Sequence, residues 1–213
     1  MNEVTQRMTY PAFFDQAPRI TLRDPLADFL GAAAGGLMEY TYLDAVHLAG
    51  HSCPTVAGAY LLARAALQAL YPPSAGPAER GAIEVHMPGP EEEGVNGVIA
   101  QVLTLITGAA ADNGFHGIGG HFVRQSLLSY ADTARSGDIR FTRRDNGKSV
   151  CVQLDLGSVP PAPNLRALLI AALSDSATAA QRKDFADAWQ GRVQRLLLEH
   201  ADDPAVLRLT RLN

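Results

Sequence analysis

Apolar residues fall at spacings of three and four over Val56, Tyr60, Ala63, Leu67 and Leu70, which is one face of an α-helix. Pro54 suits the first helical position and Tyr71-Pro72-Pro73 closes the segment, so Cys53 is expected at the N-cap. A second helical face runs through Val95, Val98, Ile99, Val102 and Ile106, with Gly108 placed to end it in a left-handed conformation. The period changes to two at Ile83, Val85 and Met87, which alternate with Glu84 and His86 as in a half-buried strand. The same alternation predicts a hairpin, with Ile139 and Phe141 on one arm, Val150, Val152 and Leu154 on the other, and Asp145-Asn146-Gly147 turning the chain. Cys151 then points away from the valines.

The other segments are read from their punctuation. Residues 1–23 carry no periodic signal and are expected as an irregular arm. Asp24-Pro25 resembles an N-cap and first-turn proline, opening a short helix that stops at Gly35-Gly36. The apolar run 38–46, with Tyr40, Tyr42 and Asp44 interleaved, leads to His47-Leu48-Ala49-Gly50-His51-Ser52-Cys53-Pro54. The stretch 113–121 is glycine-rich and expected as a structured loop. A proline-rich linker at 159–163 precedes two helices, 165–173 and 178–200, the second opened by a capping box of Thr178 and Gln181. Residues 205–212 read as a short strand or extended tail. The pattern predicts an α+β fold, a mixed or antiparallel sheet packed against helices with a helical C-terminal segment. The division is an arm (1–23), a metal-binding core (24–158) and a C-terminal helical segment packed on it (159–213).

Composition narrows the functional classes. With 213 residues, 47% of them hydrophobic, the chain can bury a core without disulfide staples, and its two cysteines are too few for a framework. A net charge of -4 with one tight basic cluster, Arg140, Arg143 and Arg144, argues against a nucleic-acid partner. No segment reaches the roughly 20 apolar residues of a membrane span, and the first residues carry no export pattern, so a cytoplasmic location is expected.

The candidate chemistry lies at His51-Ser52-Cys53-Pro54. Imidazole and thiolate are the usual donors for zinc and its neighbours, and a His-x-Cys pair in a turn is free to chelate. A cysteine at a helix N-cap meets the positive end of the helix dipole, a setting that favours sulfur as ligand or nucleophile. His47 precedes His51 by four residues, so one helical turn would stack the two rings. His116 and His121 lie in the glycine-rich loop, where the backbone can curl to bring them together. Against each stands a bland alternative: a buried cysteine capping a core helix, a histidine satisfied on a helix, two solvated loop histidines. His86 and His200 are expected to be structural, and Glu91-Glu92-Glu93 a solvated surface. The glycine-rich stretch lacks the Lys-Ser/Thr ending of a phosphate-binding loop and follows no obvious strand, so nucleotide binding is set aside.

Leu43-Asp44-Ala45-Val46 leading into Gly50-His51-Ser52-Cys53-Pro54, with Gly58 following, resembles the signature of the FmdE-like family, proteins similar to the E subunit of formylmethanofuran dehydrogenase. Gln101-Val102-Leu103-Thr104 with Thr107-Gly108, the run Phe141-Thr142-Arg143-Arg144-Asp145-Asn146-Gly147-Lys148 and the long last helix extend the resemblance over residues 40–210. It implies an α+β domain with a mixed sheet, zinc or a similar metal at the His-x-Cys segment, and a tendency to form homodimers. Departures are visible: Ala49 stands where the family commonly has a histidine, the central helix 95–101 lacks the family's Cys and Asp, and the His116 to His121 stretch replaces a Gly-Lys-Gly-Asn loop. His47 is the available substitute donor.

Three functions are therefore expected in order. First is a metal-binding protein of this FmdE-like kind in metal handling or beside an oxidoreductase, with zinc ahead of nickel or iron and His51, Cys53, His47, His116 and His121 as ligand candidates. Second is an enzyme whose metal keeps an open position for a small molecule, with no catalytic residue assigned. Third is a structural or interaction domain without metal.

Overall fold

In the computed structural model, residues 9–131 and 137–212 are described. Strand β1 (Ile20–Arg23) turns Ile20 and Leu22 inward and Thr21 and Arg23 outward. It pairs antiparallel with β2 (Leu37–Tyr40) and parallel with the two-residue β3 (Ala78–Glu79). The expected irregular arm is thus corrected over its described part. Residues 12–16 form a 3-10 turn that buries Phe13 and Phe14, and the alternation at 20–23 was a strand signal too short to stand out. Residues 1–8 of that arm lie outside the described ones.

Helix α1 (Pro25–Phe29) is shorter than expected because the chain turns left-handed at Gly31, ahead of Gly35. The run 38–46 divides at Thr41 into β2 and helix α2 (Tyr42–Ala49), whose capping box pairs Thr41 with Asp44. Helix α3 (Pro54–Leu70) follows Cys53 as expected and is buried along most of its length. Its Gly58 faces Leu154: a Cβ there would sit 2.6 Å from a Leu154 methyl, so the helix lies closer to the strand beneath it than a side chain would allow.

The main sheet has five strands in the order β5-β4-β6-β7-β8. These are β4 (Ile83–Met87), β5 (Leu128–Tyr130), β6 (Asp138–Arg143), β7 (Ser149–Leu154) and β8 (Leu207–Leu212). Within this sheet, among the described residues, β4 and β5 are the parallel pair, joined by a crossover through helix α4 (Asn96–Thr107), which ends at left-handed Gly108. The sheet is mixed, and the fold is α+β. Val85, Phe141 and Val150 stand in register across three strands, all buried on the same face. Strands β3 and β5 went unseen in the sequence because two and three residues are too few to establish a period. Helix α5 (Leu165–Leu173) packs on α6 (Ala179–Leu198), which in turn packs on α3. Among the described residues, no helix is long and apolar enough to cross a membrane.

Candidate functional site

The His-x-Cys segment is the corner between α2 and α3. Gly50 adopts φ 72° as the C-cap of α2, its N–H bonding to the Val46 carbonyl, and the chain then extends through Cys53 (φ -149°, ψ 167°) into α3. This corrects one expectation: the helix stops at Ala49, so His47 and His51 do not stack on one helical turn. A left-handed glycine between them aims the rings independently.

His51 is exposed, and its Nδ1 lies 2.9 Å from the Ala49 carbonyl oxygen. A carbonyl can only accept, so Nδ1 carries the hydrogen, and in the neutral ring the Nε2 lone pair is left available. The Cys53 side chain does act as N-cap, its Sγ accepting the Val56 N–H at 3.4 Å, and the residue is 8% exposed. His47 is tied to the N-terminal segment, with Nε2 3.0 Å from the Tyr10 hydroxyl and the two rings edge to face.

Ser52, between the two candidate donors, fastens the corner to α6. Its hydroxyl donates to Gln190 Oε1 at 2.9 Å and accepts from the Tyr42 hydroxyl at 2.8 Å. Its carbonyl accepts from Trp189 Nε1 at 3.0 Å and Gln190 Nε2 at 3.2 Å. Burial pushes the Tyr42 phenol well above its usual range, which keeps it a donor. Sequence reasoning missed Tyr42, Trp189 and Gln190 as partners, since nothing at positions 189 and 190 signals a contact with position 52.

The glycine-rich loop is structured around a two-residue turn. Gly119 and Gly120 both have positive φ, 56° and 82°, and Ile118 and His121 exchange both backbone hydrogen bonds across it at 2.9 Å, as a type I′ turn requires. His116 and His121 are exposed. Among the described residues, no three of His, Cys, Asp and Glu come together in a way that could hold a metal ion. His86 and His200 have side-chain partners, Ser129 Oγ and Asp203 at 2.9 and 2.8 Å. Cys53 and Cys151 are both free.

A second cluster lies beside the loop that carries His121. Asp24 is 3% exposed, caps α1 through the Leu26 and Ala27 N–H groups, and takes Arg80 Nη1 at 2.9 Å and Arg124 Nη2 at 2.7 Å. Burial alone would raise its carboxyl pKa, but the Arg80 hydrogen bond and the Arg124 charge outweigh it and hold the carboxyl below its ordinary value. Arg80 also donates to the Leu105 carbonyl near the end of α4.

No family model matches the chain. No curated protein matches it either. Among solved structures, the chain is similar to the crystal structure of a tungsten formylmethanofuran dehydrogenase E-subunit (FmdE)-like protein from Syntrophus aciditrophicus. The identity is 14%, the TM-score 0.43, and the match covers 82% of this chain and 73% of that one. The likeness is a distant one of fold.

Proposed function

We propose that this chain binds one transition-metal ion at the α2–α3 corner, with His51 Nε2 and Cys53 Sγ as its donors and zinc as the metal their chemistry favours. The observation that carries the reading is the hydrogen bond from His51 Nδ1 to the Ala49 carbonyl. That bond fixes the tautomer and leaves the exposed nitrogen as the donor, the arrangement usual for metal-bound histidines. The nitrogen–sulfur chemistry fits; the number of donors falls short of the three or four of a tight zinc site. Water, a small ligand or His47, once released from Tyr10, would complete the coordination. A role in metal handling agrees with such a site better than a closed structural one.

A competing reading has its own observation: Cys53 already caps α3 and Ser52 is bonded to α6, so the corner also makes sense as a structural joint without metal. Elemental analysis of untagged protein and zinc titration separate the two. The expected result is about one zinc per chain, with uptake lost in Cys53→Ser and weakened in His51→Ala, and unchanged in Cys151→Ser, which lies on β7. Serine keeps an N-cap oxygen, so helix stability should hold while metal is lost. A protein that takes up no zinc, or a Cys53→Ser variant that binds as the parent does, would establish the structural joint instead.

We also propose a homodimer. Ile170 and Leu173 on α5 are 64% and 74% exposed, an apolar surface that a second copy would cover. Light scattering should give about twice the chain mass of 22.7 kDa, and Ile170→Glu with Leu173→Glu should restore the single-chain value. A parent protein that runs only at the single-chain mass at tens of micromolar rules the dimer out.

A further inference from the structure

We propose that the cavity between β3, the His121 turn and the end of the β6–β7 hairpin is a binding site for a small molecule bearing an oxyanion, a carboxylate or a phosphate. The cavity has a volume of about 400 Å³, and Arg80, Arg124, Arg144, His121, Phe122 and Val123 line it. It is separate from the His-x-Cys corner and gives the His121 loop a role that does not depend on metal.

Three of the lining side chains are guanidiniums, those of Arg80, Arg124 and Arg144. The acids of the lining have partners outside it: Glu79 pairs at 3.2 Å with Arg23, which Asp28 also approaches at 4.0 Å, and Asp145 pairs with Arg143. Among the described residues, the ion-pair partner of Arg144 is Glu84, loose at 3.7 Å and exposed. Arg80 and Arg124 share the single carboxylate of Asp24, so neither guanidinium has a carboxylate to itself. A guanidinium carries five N–H donors, more than half a carboxylate can use, and an oxyanion is the partner that matches the remainder.

Arg124 supplies an independent observation. It is 7% exposed, its Nη1 donates to the Arg80 carbonyl and its Nη2 to Asp24, yet its buried Nε–H has no partner among the described residues. A buried donor left without a partner is destabilising, and burial lowers the pKa of this guanidinium. The chain nevertheless makes room for it. Gly81 has φ 85°, and a Cβ there would collide with Arg124 Nη1, so the guanidinium lies where only a glycine allows it. Phe122 forms part of the wall in a left-handed conformation, φ 60°, that aromatic residues rarely adopt, with its ring 5.2 Å from that of Phe29.

Calorimetric titration at low ionic strength, in the presence of a chelator so that the corner metal contributes nothing, tests the proposal with two probes, inorganic phosphate and benzoate. At least one should bind saturably in the millimolar range or tighter, and the one that binds identifies the oxyanion. Arg144→Gln, at the exposed rim, should weaken that binding about tenfold, the effect of one charged hydrogen bond. Arg124→Lys, which keeps the buried charge but loses the planar fork, should weaken it at least as much. If neither probe saturates, or if both variants bind like the parent, the site is not there.

Discussion

Asp24→Asn is expected to destabilise the protein by about 3–5 kcal/mol, the scale for removing one partner from a buried ion pair. Asparagine caps a helix as well as aspartate does, so α1 keeps its N-terminal hydrogen bonds and the loss falls on the Arg80 and Arg124 guanidiniums. For a chain of this length the midpoint of thermal unfolding should fall by about 10 °C. The acid limb of stability should change too. A carboxyl held below its ordinary value in the folded state contributes stability that is fully present above the unfolded value of about 3.9 and is lost as the pH falls through the folded one. Urea unfolding between pH 7 and pH 3 should therefore show a fall below about pH 4 in the parent that is shallower in Asp24→Asn. A variant within about 1 kcal/mol of the parent at neutral pH would mean that the two arginines do not depend on this carboxylate.

Ser52→Ala should cost about 1–3 kcal/mol, the penalty for the buried Tyr42 hydroxyl it leaves unpaired. The fully buried Tyr42 loses its acceptor and Gln190 Oε1 its donor in one step, while the backbone bonds to Trp189 and Gln190 remain. Tyr42→Phe in the Ser52→Ala background should recover part of the loss, because it removes the stranded hydroxyl. Thermal melts of the two single variants and the double variant measure this. Strictly additive losses would show that the three groups do not act as a chain.

The helices α3 and α4, the hairpin and β4 were legible because each repeats its period over enough residues to be counted, and α6 because its capping box of Thr178 and Gln181 announces it. Cys53 as N-cap was legible from Pro54, which announces a first turn. Elements of two to four residues were not: β1 alternates correctly over Ile20-Thr21-Leu22-Arg23, but four positions do not separate a strand from a loop. The run 38–46 hid both β2 and α2 because apolar residues flank Thr41 on each side, and only the Thr41–Asp44 capping box divides them. At the candidate site, the residue types were readable and their pairings were not. His47, His51, Cys53, His116 and His121 were chosen for chemistry carried by the side chain itself. The Asp24–Arg80–Arg124 cluster joins positions 56 and 100 residues apart along the chain, so no local pattern foretold it.

Trp189 is the one tryptophan of the chain, and its indole N–H bonds to the carbonyl of Ser52, the residue between His51 and Cys53. Indole emission responds to the polarity and hydrogen bonding around the ring, so the protein carries an optical reporter at the corner itself. Whatever binds or loosens that turn should change the colour or intensity of a signal that arises from a single fluorophore.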